Sequence, residues 1–222
     1  MKGEIFDAIE RAGIVPVIRA GSTDDALEAS HALIRGGVKV LEVTLTVPGA
    51  LDVMAKLREE LDRDVLVGAG TVLTLEQARE CLASGAEFLV TPGLNRDIIE
   101  LCHERGIDVM PGALTPTEVI NAWQLGASCV KVFPCSALGG AKYLRSLRGP
   151  LPDVKLMPTG GVNLNTADAY LAAGAVALGV GSELVDPVAV AAGKFDVIEE
   201  NARQFVRVVS EARRLLGRNH AA

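Results

Sequence analysis

Three charged residues fall where apolar ones belong. Lys131 stands in Ser128-Cys-Val-Lys-Val-Phe-Pro, Glu42 in Val40-Leu-Glu-Val-Thr, and Arg19 ends Ile14-Val-Pro-Val-Ile-Arg. Each segment otherwise reads as an apolar run, the pattern of a strand buried on both faces of a parallel sheet. Successive strand side chains point to opposite faces. If Val130 and Val132 face outward, Lys131 turns inward. The same alternation turns Val40, Glu42 and Thr44 inward. Burying an ammonium is costly unless it is paired or neutralised. The free amine gains weight in such a place, and a free amine attacks carbonyls to form a Schiff base. A neighbouring carboxylate would move the protons, and the two groups would titrate as a coupled pair.

The alternative is a buried structural ion network. Such networks stabilise weakly, and apolar replacements are often neutral or better. All three charges sit towards the C-terminal ends of their strands, where barrel enzymes carry their chemistry, which favours function. Lys39 and Lys155 sit at N-terminal strand ends and read as solvated. Two glycine turns add an anion site. Pro158-Thr-Gly-Gly-Val follows the seventh strand candidate and Leu178-Gly-Val-Gly-Ser the eighth. Loops in those places are the recurrent phosphate site of α/β barrels, because glycines let backbone N–H groups approach an anion. Gly160, Gly161, Gly181 and Ser182 are the phosphate-binding candidates. Val67-Gly-Ala-Gly-Thr-Val places Thr71 at the mouth, either to hold a carboxylate or simply to lead into a helix. Thr91-Pro-Gly and Phe133-Pro supply apolar walls.

The elements that must position these groups alternate regularly. Strands are expected at Ile14–Arg19, Val40–Leu45, Val65–Gly70, Phe88–Thr91, Asp108–Met110, Val130–Phe133, Lys155–Pro158 and Val176–Val180. Helices are expected at Thr23–Arg35, Gly49–Leu61, Leu75–Ser84, Arg96–Arg105, Pro116–Leu125, Ala141–Leu147, Asn165–Ala173 and about Phe195 to Leu216, after an N-terminal helix. Ser22, Thr74, Thr115 and Asn163 or Asn165 are N-cap candidates; Gly36, Gly85, Gly106, Gly126 and Gly174 close helices before strands. One grammar repeats: a cap, an Ala-rich helix, a Gly-Ala or Gly-Val turn, then a strand, as in Thr74-Leu-Glu-Gln-Ala and Asn163-Leu-Asn-Thr-Ala. Eight uniform units favour an α/β fold closed as a single (β/α)₈ TIM barrel over an open doubly wound sheet. One domain over residues 1–222 fits a chain of 222 residues, with a short disordered tail at 219–222.

Bulk properties narrow the classes. Formal net charge is -6, with 22 basic against 28 acidic residues, which argues against nucleic acid. No apolar run approaches the ~20 residues of a membrane span, and the acidic, amphipathic start is not a signal peptide. Cys81, Cys102, Cys129 and Cys135 form no Cys-x-x-Cys pair and read as free thiols of a cytoplasmic protein. His31, His103 and His220 join no cluster with metal-ligand spacing, so no metal is expected.

At these motifs the chain resembles the class I 2-keto-3-deoxy-6-phosphogluconate (KDPG) aldolases, a family that includes 4-hydroxy-2-oxoglutarate (KHG) aldolases. Glu42-Val-Thr, Gly68-Ala-Gly-Thr-Val, Thr91-Pro-Gly, Lys131-Val-Phe-Pro and Pro158-Thr-Gly-Gly-Val carry the resemblance, in order and over essentially the whole chain. It implies cleavage of 2-dehydro-3-deoxy-6-phosphogluconate to pyruvate and glyceraldehyde 3-phosphate without cofactor, and of 4-hydroxy-2-oxoglutarate to pyruvate and glyoxylate. It implies Lys131 as the imine-forming nucleophile and Glu42 as the proton shuttle. Arg19 and Thr71 would hold the pyruvyl carboxylate, and Pro92 and Phe133 would shape the pocket. Thr159, Gly160, Gly161, Gly181 and Ser182 would hold the distal hydroxyls and phosphate. A homotrimer is implied. Many members read Glu-Val-Thr-Leu-Arg where this chain has Thr46, so Thr46 takes a substrate-facing place without the charge. The galactonate epimer as substrate, another phosphate-binding barrel such as an epimerase or isomerase, and a non-catalytic phosphate-ligand-binding barrel are the rivals.

Overall fold

The computed structural model describes residues 3–219. Its strands are β1 (Ile14–Ile18), β2 (Val40–Thr44), β3 (Leu66–Gly70), β4 (Phe88–Val90), β5 (Asp108–Met110, resumed at Gly112–Ala113), β6 (Val130–Val132), β7 (Leu156–Pro158) and β8 (Leu178–Val180). The helices are α1 (Glu4–Ala12), α2 (Thr23–Arg35), α3 (Ala50–Glu60), α4 (Leu75–Ala83), α5 (Arg96–Arg105), α6 (Pro116–Gln124), α7 (Ala141–Arg148), α8 (Ala167–Ala172), α9 (Pro187–Ala191) and α10 (Phe195–Asn219). A 3₁₀ turn spans Cys135–Leu138.

Every strand pairing is parallel, and the pairings run in a ring. β1 pairs with β2 on one side and with β8 on the other. β2, β3, β4 and β5 follow in order. Pro111 interrupts β5, because proline has no N–H to donate. Its carbonyl still accepts from Lys131 N at 2.9 Å, and Gly112 resumes the ladder opposite Lys131. β6 pairs with β7, and a bridge between Thr159 and Gly179 joins β7 to β8. The ring is the closed (β/α)₈ barrel that the repeated units foretold.

Two cores follow from strand alternation. Ile18, Leu41, Val43, Val67, Leu89, Val130 and Val132 face the helices. Val15, Val40, Leu66, Phe88, Met110, Cys129, Met157 and Ala177 fill the interior. Phe6 and Ile9 of α1 join the inner cluster, so α1 stoppers the N-terminal end. Asp108 secures that stopper: its carboxylate accepts from Phe6 N at 3.0 Å and from Ser128 Oγ at 2.5 Å. Lys39 and Lys155 do lie at this end, paired with Asp64 and Glu10. The stopper sets the N-terminal end apart from the C-terminal ends of the strands, where Lys131 and Glu42 lie.

Many strand and helix ends shift by one or two residues from expectation, and two helix limits and two further elements stand out. α8 starts at Ala167, because Asn163 Oδ1 accepts from Asn165 N and Thr166 Oγ1 accepts from Asn163 N, which holds those residues in a turn. α10 continues through Asn219, so that residue is helical and not part of a tail; residues 220–222 lie outside the described residues. The 3₁₀ turn and α9 were not anticipated. α9 carries a readable signal, Asp186 capping the helix with Pro187 at its start. No helix among the described residues is long and apolar enough to cross a membrane. The four cysteines are buried and free, and burial pushes each thiol above its ordinary range.

Candidate active site

Glu42 and Lys131 meet inside the barrel mouth. Lys131 Nζ lies 3.7 Å from Glu42 Oε1. Glu42 is 1% exposed and Lys131 6%. The separation is that of an ion pair and exceeds hydrogen-bond length. Neither Glu42 oxygen has a hydrogen-bond partner among the described residues. Burial pushes the Glu42 carboxyl above its ordinary value, and the charges of Lys131 and Arg19 only partly offset it. A carboxyl raised this way takes up a proton more readily than an ordinary glutamate, which suits proton exchange with a bound substrate.

Glycines clear the space. A Cβ at Gly70 would overlap the Glu42 carboxylate, and one at Gly68 would overlap the Phe88 ring. β3 therefore has no side chains on the inward face where Glu42 lies, which explains why Val67-Gly-Ala-Gly alternates as it does. Phe133 presents its ring to Lys131, with Nζ 5.4 Å from the centroid.

Above the pair opens a cavity of about 130 Å³. Arg19, Lys131, Phe133, Thr159, Gly160, Gly161, Gly181 and Ser182 line it, together with Val17, Val162 and Glu183. Thr159 is 6% exposed, and its hydroxyl has no partner among the described residues. Gly160 and Gly161 turn at φ 88° and 74°, left-handed values that favour glycine. Arg19 NH1 lies 4.0 Å from where a Cβ on Gly181 would sit. Arg19 thus stands over the glycine loops. A larger cavity of about 510 Å³ lies at the other end, between α1 and α10, and includes none of these residues.

A family described as KDPG and KHG aldolase matches residues 5–201. The 2-dehydro-3-deoxy-phosphogluconate aldolase of Treponema pallidum is 38% identical over 205 residues, covering 92% of this chain and 97% of that one. The chain belongs to the KDPG and KHG aldolase family. The KHG/KDPG aldolase of Escherichia coli K12 is 37% identical over 193 residues, 87% of this chain and 90% of its own. Among solved aldolases, that of Legionella pneumophila, holding pyruvate as a covalent carbinolamine, superposes with a TM-score of 0.84 at 32% identity, over 91% of this chain and 98% of that one. Family membership makes the chain a lyase.

Not every residue anticipated for an aldolase pocket lies in this cavity. Thr46, Thr71 and Pro92 follow β2, β3 and β4 and do not line it. Thr71 is nevertheless unusual: its φ is 59°, a left-handed value that a β-branched residue rarely adopts. Backbone held this way concentrates at functional sites. Sequence reasoning did not find Val17, Val162 and Glu183. Val17 was legible by alternation, since it points the same way as Arg19 and lies in register with Glu42. Glu183 carried no signal beyond following Ser182.

Proposed function

We propose that the chain is a class I, metal-independent aldolase that cleaves 2-dehydro-3-deoxy-6-phosphogluconate to pyruvate and glyceraldehyde 3-phosphate, and 4-hydroxy-2-oxoglutarate to pyruvate and glyoxylate. The observation that carries this reading is the buried Lys131–Glu42 pair at 3.7 Å beneath a cavity lined by Arg19 and the glycine loops. The Treponema and Escherichia relatives, named for these activities, support it.

The Lys131 amine adds to the C2 carbonyl. Loss of water from the carbinolamine leaves an iminium, an electron sink. Glu42 takes the proton of the C4 hydroxyl, the C3–C4 bond breaks, and its electron pair enters the enamine. The aldehyde departs, C3 is protonated, and water releases pyruvate and the free amine. Atoms and charge balance without a cofactor. Arg19, Gly160, Gly161, Gly181 and Ser182 hold the terminal phosphate, and Thr159 holds a distal hydroxyl. Placing Arg19 there departs from the carboxylate role expected from sequence; its position beside Gly181 is the reason. Thr71 and Thr46 flank the pyruvyl end, and Pro92 with Phe133 keeps the amine dry.

Borohydride reduction in the presence of pyruvate tests the reading. A mass gain located at Lys131, absent in Lys131→Ala and unaffected by EDTA, is expected. No adduct at saturating pyruvate would remove the aldolase assignment.

The protein is further read as one barrel domain working in the cytoplasm as a homotrimer. Exposed Leu73 and Leu94 lie on adjacent loops, joined where Asn95 Nδ2 donates to Leu73 O at 3.1 Å, and form an apolar surface for self-association. Light scattering should give three times the monomer mass of 23.3 kDa; a monomer would refute the trimer.

A further inference from the structure

We infer that Ser136, on the 3₁₀ turn after β6, is a further contributor to the terminal-anion subsite and helps set preference for phosphorylated over unphosphorylated aldehydes. The inference rests on the aldolase reading and deepens it. Its motivation is the packing around Gly161. A Cβ built on Gly161 would overlap the Ser136 Cβ and lie 2.7 Å from its Oγ. The Ser136 side chain therefore occupies the flank of Gly161 that any other residue would need for itself. Gly161 in turn lines the cavity.

This contact is built in rather than incidental. Cys135 N donates to Thr159 O at 2.9 Å, and Ser136 N donates to Gly160 O at 3.3 Å. Two successive backbone hydrogen bonds zip the start of the 3₁₀ turn onto the glycine loop after β7. Ser136 is therefore held in a fixed place relative to Gly160 and Gly161. Its side chain is exposed, and no hydrogen bond of its hydroxyl to another protein group is found among the described residues. A serine hydroxyl carries one donor hydrogen and two acceptor lone pairs. A donor left free beside a glycine turn suits an anion's oxygen, and hydrogen bonds to charged groups are the stronger kind. The loops after β7 and β8 thus act with a donor from the loop after β6. The chemistry recognised is a phosphate monoester at the end of the aldehyde remote from the carbonyl.

The test measures aldol addition of pyruvate to glyceraldehyde 3-phosphate and to glyceraldehyde, and takes the ratio of the two kcat/KM values. Ser136→Ala should lower that ratio about three- to tenfold, the range of one hydrogen bond at a half-wet rim. Ser136→Asp should lower it further, because a carboxylate there repels the dianion, and should weaken competitive inhibition by inorganic phosphate. A ratio unchanged in both variants, or an equal fall with both aldehydes, would overturn the inference. Borohydride trapping of pyruvate on each protein separates the two failures. If the wild type traps no pyruvate, the aldolase reading falls; if it traps pyruvate and the ratio does not move, only the role of Ser136 falls.

Discussion

Glu42 shows how one residue's surroundings set its work. Its carboxyl lies in a dry interior, with one amine nearby and no hydrogen bond to hold the charged form. Desolvation therefore dominates, and the carboxyl protonates more readily than a glutamate with the ordinary value of 4.5. As the base for the C4 hydroxyl it must be ionised, so activity is lost on acidification earlier than for an ordinary carboxylate. The acid limb of kcat/KM for cleavage should sit above 4.5. Glu42→Gln should abolish that limb and lower kcat about 10²–10⁴-fold while still trapping pyruvate. Wild-type turnover in that variant would remove Glu42 from the reaction. The sign for stability is the reverse of the usual acidic case. The native state binds the proton more tightly than the unfolded chain, so this group's contribution falls as pH rises from the ordinary carboxylate range through the raised value.

Thr46 obeys a different constraint. The Thr44 hydroxyl donates its one hydrogen to Ile18 O at 2.8 Å. The 2.6 Å contact between the Thr44 and Thr46 hydroxyls must then be donated by Thr46. While this chain of bonds stands, Thr46 offers only lone pairs to a ligand, and a carboxylate also offers only lone pairs. Thr46 therefore suits a donor such as water or a substrate hydroxyl better than it suits the pyruvyl carboxylate.

At the scale of elements, β3 is the strand that makes room. Four of its five residues are Gly or Ala or pack outward, so it contributes clearance where its neighbours contribute bulk. Gly70→Ala places a methyl group on the Glu42 carboxylate. The variant should lose about 1–3 kcal/mol of stability in urea titrations, as overpacked cores do, and about tenfold or more in kcat, because Glu42 must move. An unchanged kcat would mean that Glu42 has slack in its position. Alternation in β2 and β6 placed Lys131, Glu42, Val130 and Val132 on their faces correctly, because a period of two admits no other answer once one face is known. The 3₁₀ turn after β6 was not legible, since a single turn of four residues has no periodicity to read.

The whole molecule is a tube stoppered at one end. Phe6 and Ile9 plug the inner core, and the Asp108 carboxylate ties α1 to the floor of β5. Asp108 is 2% exposed, an inward charge like Glu42, yet it works at the opposite end and has two hydrogen-bond donors to satisfy it. Phe6→Ala should cost about 3–5 kcal/mol in chemical denaturation and leave KM unaltered, because the stopper is remote from the mouth. A large change in KM would show that the two ends communicate.

The sequence by itself determined the alternation of strands and helices, the inward sense of Lys131 and Glu42, and the glycine turns after the last two strands. Those features depend on local periodicity and on short motifs, which each segment carries alone. Only the tertiary structure decided that Lys131 and Glu42, 89 positions apart by their numbering, stand 3.7 Å from each other. It also decided that Arg19 stands over the glycine loops, that Asp108 serves the floor, and that Ser136 fills the flank of Gly161. Those relations cross the barrel or join separate loops. Closure of the sheet sets them, and no stretch of the chain encodes that closure on its own.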